Sequence, residues 1–236
     1  MTMPIKKTSI STLFCLFSAL ILTIGLWLTG HSIQAKWPGI PPVPTKVSAK
    51  AMTLGDTQFS YRFNALVLQS IGDTGGRVTP VDDYNYNDLG KWFWLLDELD
   101  PESNHIPNIA AYYFGVTRKP ENVSILIDYL SVIGNNPSGE KWRWLVQAIF
   151  LSRHRLHDME LSLDLAYKLS ALSPMDNTIP IWARQMSSFV LTAMGEKQAA
   201  QALIEALLLT DKNLKPHDIN FLRGYLAEEL DVEAYK

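Results

Sequence analysis

The chain has 236 residues, 47% of them hydrophobic and 19% charged, with 21 basic against 24 acidic side chains. That length suits one domain or at most two, and apolar residues recur almost to the C-terminus, unlike a disordered or collagen-like chain. A net charge of −3 argues against nucleic-acid binding through a broad basic surface, and a single cysteine excludes an internal disulfide framework or a zinc site of several thiolates.

Residues 1–9 form a short basic segment containing Lys6 and Lys7, two of the 21 basic residues, which leaves 19 against 24 acids in the rest. From Thr8 to Ala35 no side chain is formally charged, apart from a possible charge on His31. The apolar run Leu13–Leu28, extended by Ile10, predicts a transmembrane anchor over 10–30, because crossing ~30 Å of hydrocarbon takes about 20 mostly apolar residues. Trp27 and Trp37 bracket its far end, where indoles favour the interface. Lys6, Lys7 and the amino terminus favour a cytoplasmic near end, although Lys36, Lys46 and Lys50 dilute the asymmetry. The expectation is therefore a single-pass protein of the cell inner membrane whose C-terminal domain is periplasmic or otherwise extracytoplasmic. A cleaved signal sequence ending at Ile33-Gln34-Ala35 is the competing reading. The apolar run exceeds the usual ~7–15 residues and the cleavage flanks are mediocre, so the anchor is favoured. Cys15, inside the run, reads as a small core-type residue.

Next comes a proline-rich linker, residues 31–54. Its prolines at 38, 41, 42 and 44 forbid a regular helix and favour an extended, semi-rigid stalk. From residue 55 to 236 the pattern is helical throughout, with helices expected near 57–71, 85–98, 105–117, 121–133, 140–154, 158–172, 178–194, 196–210 and 216–230. In 140–154, Trp142, Leu145, Val146 and Ile149 make one apolar stripe, while Trp144, Ala148 and Leu151 make another. A helix apolar on two sides is sandwiched between neighbours or lines a groove. Val123–Ile133 is rich in β-branched residues and resembles a strand. Pro120 and Glu121 suit a first helical turn, Gly134 and Asn135 suit a helix end, and no pairing strand is apparent, so helix is the better assignment.

The helix connections are periodic. Pro101, Pro137 and Pro174 mark the ends of successive hairpins, 36 and 37 residues apart, and Thr210-Asp-Lys-Asn marks a fourth stop without proline. Turns at Lys119-Pro120, Leu156-His157-Asp158 and Gly195-Glu196 fall midway through each unit. Helix, turn, helix and a proline-marked stop is the pattern of a stacked α-hairpin array. With Trp92–Pro101 followed by Ala110-Ala-Tyr-Tyr-Phe-Gly115, the chain resembles the tetratricopeptide-repeat superfamily, whose units are ~34 residues, and in particular degenerate repeats of bacterial membrane-anchored proteins. The resemblance covers roughly residues 84–210. It implies an all-α chain: an N-terminal transmembrane helix followed by an α-solenoid of tetratricopeptide-like hairpins. The units run two or three residues long. Ile125 and Ser162 stand where the family has small residues, and only Ala199 conforms, so a generic right-handed α-solenoid stays open.

Catalytic patterns are weak. Gly72-Asp-Thr-Gly-Gly-Arg77 lacks the Lys-Ser/Thr ending and preceding strand of a phosphate loop, and reads as a flexible connection. Asp82–Asp88 lacks the alternation of acids and the final glutamate of a calcium loop, and reads as a solvated turn with helix capping. His154, His157, Asp158 and Glu160 straddle a turn beside Arg153 and Arg155, which would repel a cation. No cofactor, metal or nucleic-acid partner is therefore expected, and no catalytic residue is assigned.

Seven tryptophans are many. Trp92/Trp94 and Trp142/Trp144 are i, i+2 pairs, so one of each can fill the core while the other meets a neighbouring hairpin or a groove. The tetratricopeptide register places Asn108, Tyr112, Lys141, Trp144 and Gln185 on the groove side of the first helices. There their amides and ammonium would bind an extended peptide or a carboxylate, and their rings would add apolar contact. The favoured function is a non-catalytic, membrane-tethered interaction module or scaffold of a bacterial envelope assembly, whose partners are membrane or envelope proteins or extended peptides. The alternative is an envelope enzyme or small-ligand receptor with its site in the groove.

Overall fold

The computed structural model describes residues 10–30, 39–74, 77–211 and 214–235. Lys6, Lys7, the Ile33-Gln34-Ala35 cleavage site, Lys36, Trp37 and Pro38 lie outside these residues, as do Gly75, Gly76, Lys212 and Asn213. The described chain is helical apart from a two-residue antiparallel ladder. Helix α1 spans Ile10–Gly30, is long and apolar enough to cross a membrane, and is exposed from Ser11 to Gly30. Its hydroxyls are satisfied locally: Thr23 donates to the Ala19 carbonyl at 2.8 Å and Thr29 to the Gly25 carbonyl at 3.0 Å, which removes much of the cost of placing them in hydrocarbon.

The linker expected to run to residue 54 folds against the domain well before that. Ile40 and Val43 pack on the core, and the Trp92 indole N–H donates to the Pro41 carbonyl at 2.9 Å. Lys46–Ala51 then forms α2, whose first turn is capped by the Thr45 hydroxyl accepting from the Ser48 N–H. The second half of the proline-rich stretch is thus a strap on the domain surface.

Helix α3 (Thr57–Ser70) starts at Asp56, whose carboxylate accepts the Phe59 N–H at 2.8 Å. The glycine-rich connection after it pairs Asp73 with Val78 and Thr74 with Arg77 as strands β1 and β2, so this segment is a small hairpin. Gly72, at φ +90°, leaves the space that the Tyr84 ring fills. Helix α4 (Tyr86–Leu99) is capped by Asn85, and Asp82 accepts the Thr117 hydroxyl and Arg118 N–H, each at 2.8 Å. Those bonds hold the Asp82 carboxyl below its ordinary value. The acidic run therefore caps turns.

Helix α5 (His105–Asn108) continues through a π turn at Ile109–Tyr113 and a 3-10 turn at Phe114–Val116. Helix α6 (Pro120–Gly134) opens with its proline, where no N–H is needed. Helix α7 (Trp142–Leu151) also continues into a π turn, Ser152–Leu156, and ends at left-handed His157. Asp158 caps α8 (Met159–Leu172) through the Leu161 N–H at 2.9 Å. The helix expected over 178–194 is broken in two: α9 (Ile181–Arg184) begins only after Pro180, and Gln185, at ψ 16°, leaves helical geometry before α10 (Met186–Met194). Helices α11 (Lys197–Thr210) and α12 (Pro216–Glu228) complete the set.

Packing follows chain order. Helix α3 packs on α4, α4 on α6, α6 on α7, α7 on α8, α8 on α10, α10 on α11 and α11 on α12. One apolar core extends from Ala49 to Val190, and a smaller one joins Leu191, Ala200, Ile204, Leu222, Leu226 and Leu230. Leu163 touches both, so the core is nearly continuous along the row of helices. Trp92 points inward and Trp94 lies partly exposed, edge-on to Tyr129, whereas Trp142 and Trp144 are both buried.

Candidate functional site

The π turns that end α5 and α7 meet across a groove of about 650 Å³ lined by Tyr112, Val116, Gln147, Phe150, His154 and Arg155 among others. An extra residue in a helical turn rotates the following side chains off the regular face, and such turns recur where a helix presents side chains to a ligand. Gln147 donates from its amide to the Tyr112 hydroxyl at 2.8 Å, which ties the two helices together. Phe150 stacks beside His154 with ring centroids 4.7 Å apart. Tyr112, Val116 and Phe150 are all about half exposed, so the groove floor is apolar and open. At one end the Arg155 guanidinium donates to the carbonyls of Val116 at 2.7 Å and Gly115 at 3.3 Å, filling acceptors that the end of the α5 segment leaves free. Burial, and the nearby Arg153 and His157, lower the His154 pKa and favour its neutral ring.

A second cleft, of about 790 Å³, lies between α9 and α12, with Trp182, Arg184, Asp211, Lys215, His217 and Phe221 in its walls. Arg184 and Asp211 form an ion pair of 2.9 Å across it, with most of both side chains out of solvent. Trp182 and Phe221 stay exposed at 41% and 45%.

A third polar group is internal. The Lys141 ammonium, only 2% exposed as a residue, donates to the Ser103 carbonyl at 2.7 Å. The Ser103 hydroxyl shares a hydrogen bond of 2.7 Å with Tyr61. One oxygen of Asp97 and the Tyr129 hydroxyl are buried with no hydrogen-bond partner among the described residues. Burial pushes the Asp97 carboxyl up to about 6, despite the opposing pull of Lys141, and pushes the Tyr129 phenol far above its usual range. Burial likewise lowers the Lys141 pKa, against the pull of Asp97 and Asp100.

Of the five residues that the repeat register places on the groove, Asn108 and Tyr112 are exposed, and Tyr112 lines the groove. The other three need correction. Lys141 precedes α7 and turns inward to Ser103. Trp144 is buried with its indole N–H on Asn104 at 2.7 Å. Gln185 stands at the break between α9 and α10, 2% exposed, both amide atoms without a hydrogen-bond partner among the described residues. The α7 residues that do face the groove, Gln147 and Phe150, lie three and six positions beyond Trp144. Among the described residues no three His, Cys, Asp or Glu side chains are placed to hold a metal ion. The Asp158 carboxylate beside His157 caps α8 instead. Comparison with protein-family models, with curated proteins and with solved structures gives no match.

Proposed function

We propose that the chain is a membrane-tethered interaction module: a single-pass anchor with its N-terminus in the cytoplasm, and an extracytoplasmic α-solenoid of tetratricopeptide-like hairpins that holds an extended segment of an envelope protein. The observation that supports this most directly is the open aromatic groove between the π-turned ends of α5 and α7. Its apolar floor, with a basic end at Arg155, suits a peptide that lays apolar side chains on Tyr112 and Phe150 and an acidic group toward that guanidinium. The chain-order packing of the helices is what a solenoid requires, since each hairpin buries its faces on the next.

Affinity capture of the tagged full chain from detergent-solubilised membranes tests the reading, with the Phe150→Asp variant run in parallel. The expected result is a small, reproducible set of envelope proteins that the variant loses while α1 and the fold are retained. An identical set from both chains, or none from either, would remove the groove from consideration.

A second reading is favoured by the cleft between α9 and α12, where Arg184, Asp211, Lys215 and His217 converge beside two exposed aromatic rings. Convergent polar groups in a concave apolar site are what a small-ligand receptor or enzyme presents. Thermal-shift screening of anionic metabolites against the full chain, with Lys215→Ala as control, addresses it.

A further inference from the structure

The first two helices of the domain in chain order, α2 and α3, carry an apolar surface that nothing among the described residues covers. On α3, Tyr61, Ala65 and Leu68 face the core, while Phe59, Phe63 and Leu66, at helical spacings of four and three, are exposed. Helix α3 packs on α2 and α4 and bonds His105 of α5 through Gln69, while Phe59, Phe63 and Leu66 stay 42–61% exposed. In the turn before it, Met52 is 69% exposed and Leu54 99%, and Val47 on α2 is similarly open. Leu54 also adopts the left-handed backbone, φ +56°, next to Gly55 at +87°. A leucine there is strained and fully wet where glycine or asparagine would be easier, so the side chain is being presented. Six large apolar side chains within twenty residues far exceed the single exposed hydrophobes of an ordinary surface.

We infer that this face, Val47, Met52, Leu54, Phe59, Phe63 and Leu66, docks on the lipid surface of the membrane that α1 spans, so that the domain lies against the bilayer by its first hairpin. The inference rests on the anchor reading of α1. Tether length favours lipid: the chain between Gly30 and Gly39 can reach at most roughly 30 Å even fully extended. Ile40 and Val43 pack on the core and the Pro41 carbonyl accepts the Trp92 N–H of α4, so the tether joins the domain beside α4, the neighbour of α3. Charge favours it as well. Within 46–66 stand Lys46, Lys50 and Arg62 against one acid, Asp56, in a chain whose remainder is acidic. The Asp56 carboxylate is engaged in capping α3, and the contact of Lys46 with Glu98 is long, 3.9 Å, and half-exposed. Basic residues flanking Phe and Leu are the composition of an interfacial helix that binds anionic lipid.

The test uses the full chain with Cys15→Ser, carrying Leu54→Cys or, at the far end on exposed α11, Leu209→Cys, each labelled with an environment-sensitive fluorophore. The proteins are reconstituted in phosphatidylcholine vesicles with and without phosphatidylglycerol, and with headgroup-proximal doxyl lipid as quencher. The label at 54 is expected to shift to the blue and lose emission to the quencher, more so with phosphatidylglycerol, while the label at 209 does neither. Adding Phe59→Ser and Phe63→Ser is expected to abolish the response at 54. Equal, unquenched emission from both positions in carbonate-resistant, inserted protein would overturn the docking while leaving the anchor intact. A blue shift at 54 without lipid quenching would also overturn it, since it would mean that protein covers the face. Release of the whole chain by carbonate would overturn the anchor reading and this inference with it.

Discussion

Gly134 closes α6 against the backbone of Leu145 in α7, so tightly that a Cβ at 134 would collide with the Leu145 amide nitrogen and Cα. A backbone cannot rotate away as a side chain can, so the two helices must separate to admit even one methyl group. Gly134→Ala is therefore expected to cost about 3 kcal/mol, at the upper end for overpacking, despite alanine's better helix propensity. Chemical denaturation of the detergent-solubilised chain measures this. An alanine variant as stable as the parent would mean that α6 and α7 approach less closely than this.

Asp97 predicts a pH dependence with a definite sign. Its carboxyl is pushed up to about 6, chiefly by burial, from an ordinary value near 4. The folded chain thus holds this proton more tightly than the unfolded one. The stability that this provides is full below pH ~4 and is lost as pH rises through about 6. Asp97→Asn keeps the shape and removes the titration. Relative to the parent, the variant is expected to gain stability between pH 4 and pH 7, by about 1 kcal/mol once solvent screening of a half-buried carboxyl is allowed for. Denaturant midpoints of both chains across that range check it, and a difference independent of pH would place Asp97 in contact with water.

Much of the fold was legible because its determinants are local. Asp56, Asn85, Asp158 and Pro216 stand where helices α3, α4, α8 and α12 begin, and the apolar spacing inside each helix marks its buried side. Trp142 and Leu145 are buried as their stripe predicts. What escaped was set by contacts distant in sequence. The strap at residues 40–51 depends on Trp92, about 50 residues away, receiving the Pro41 carbonyl as an acceptor. The groove depends on how α7 sits against the α5 segment, where Gln147 is held by the Tyr112 hydroxyl while Trp144 turns inward to Asn104, a contact 40 residues distant in sequence. Gln185 was misplaced because the break after α9 turns its amide into the interior.

Arg155 ties one hairpin to the next by reaching from the end of the α7 segment to the Val116 and Gly115 carbonyls. Arg155→Ala is expected to cost about 1 kcal/mol, since the carbonyls it leaves are near enough to the surface for water to replace part of the bonding. Hydrogen exchange gives the sharper test, because loosening should be confined to residues around 113–118. Uniform loosening along the chain would contradict a local role.

The Arg184–Asp211 pair separates two views of how α9 is held. Surface ion pairs contribute little, as Lys168 with Asp164 on α8 should show: Lys168→Met is expected to change stability by less than about 0.5 kcal/mol. Arg184 and Asp211 are different, because both side chains are mostly withdrawn from solvent and the guanidinium is further fixed by donating to the Ile179 carbonyl at 2.9 Å. Removing the charge with Asp211→Asn leaves a largely desolvated cation with a weaker acceptor, at an expected cost of about 2 kcal/mol. Arg184→Met in the same chain should recover part of that, so the two changes together cost less than their sum. Additive costs would mean that the ion pair is solvated in solution, and that the short helix α9 is held by Ile179 and Ala183 in the core alone.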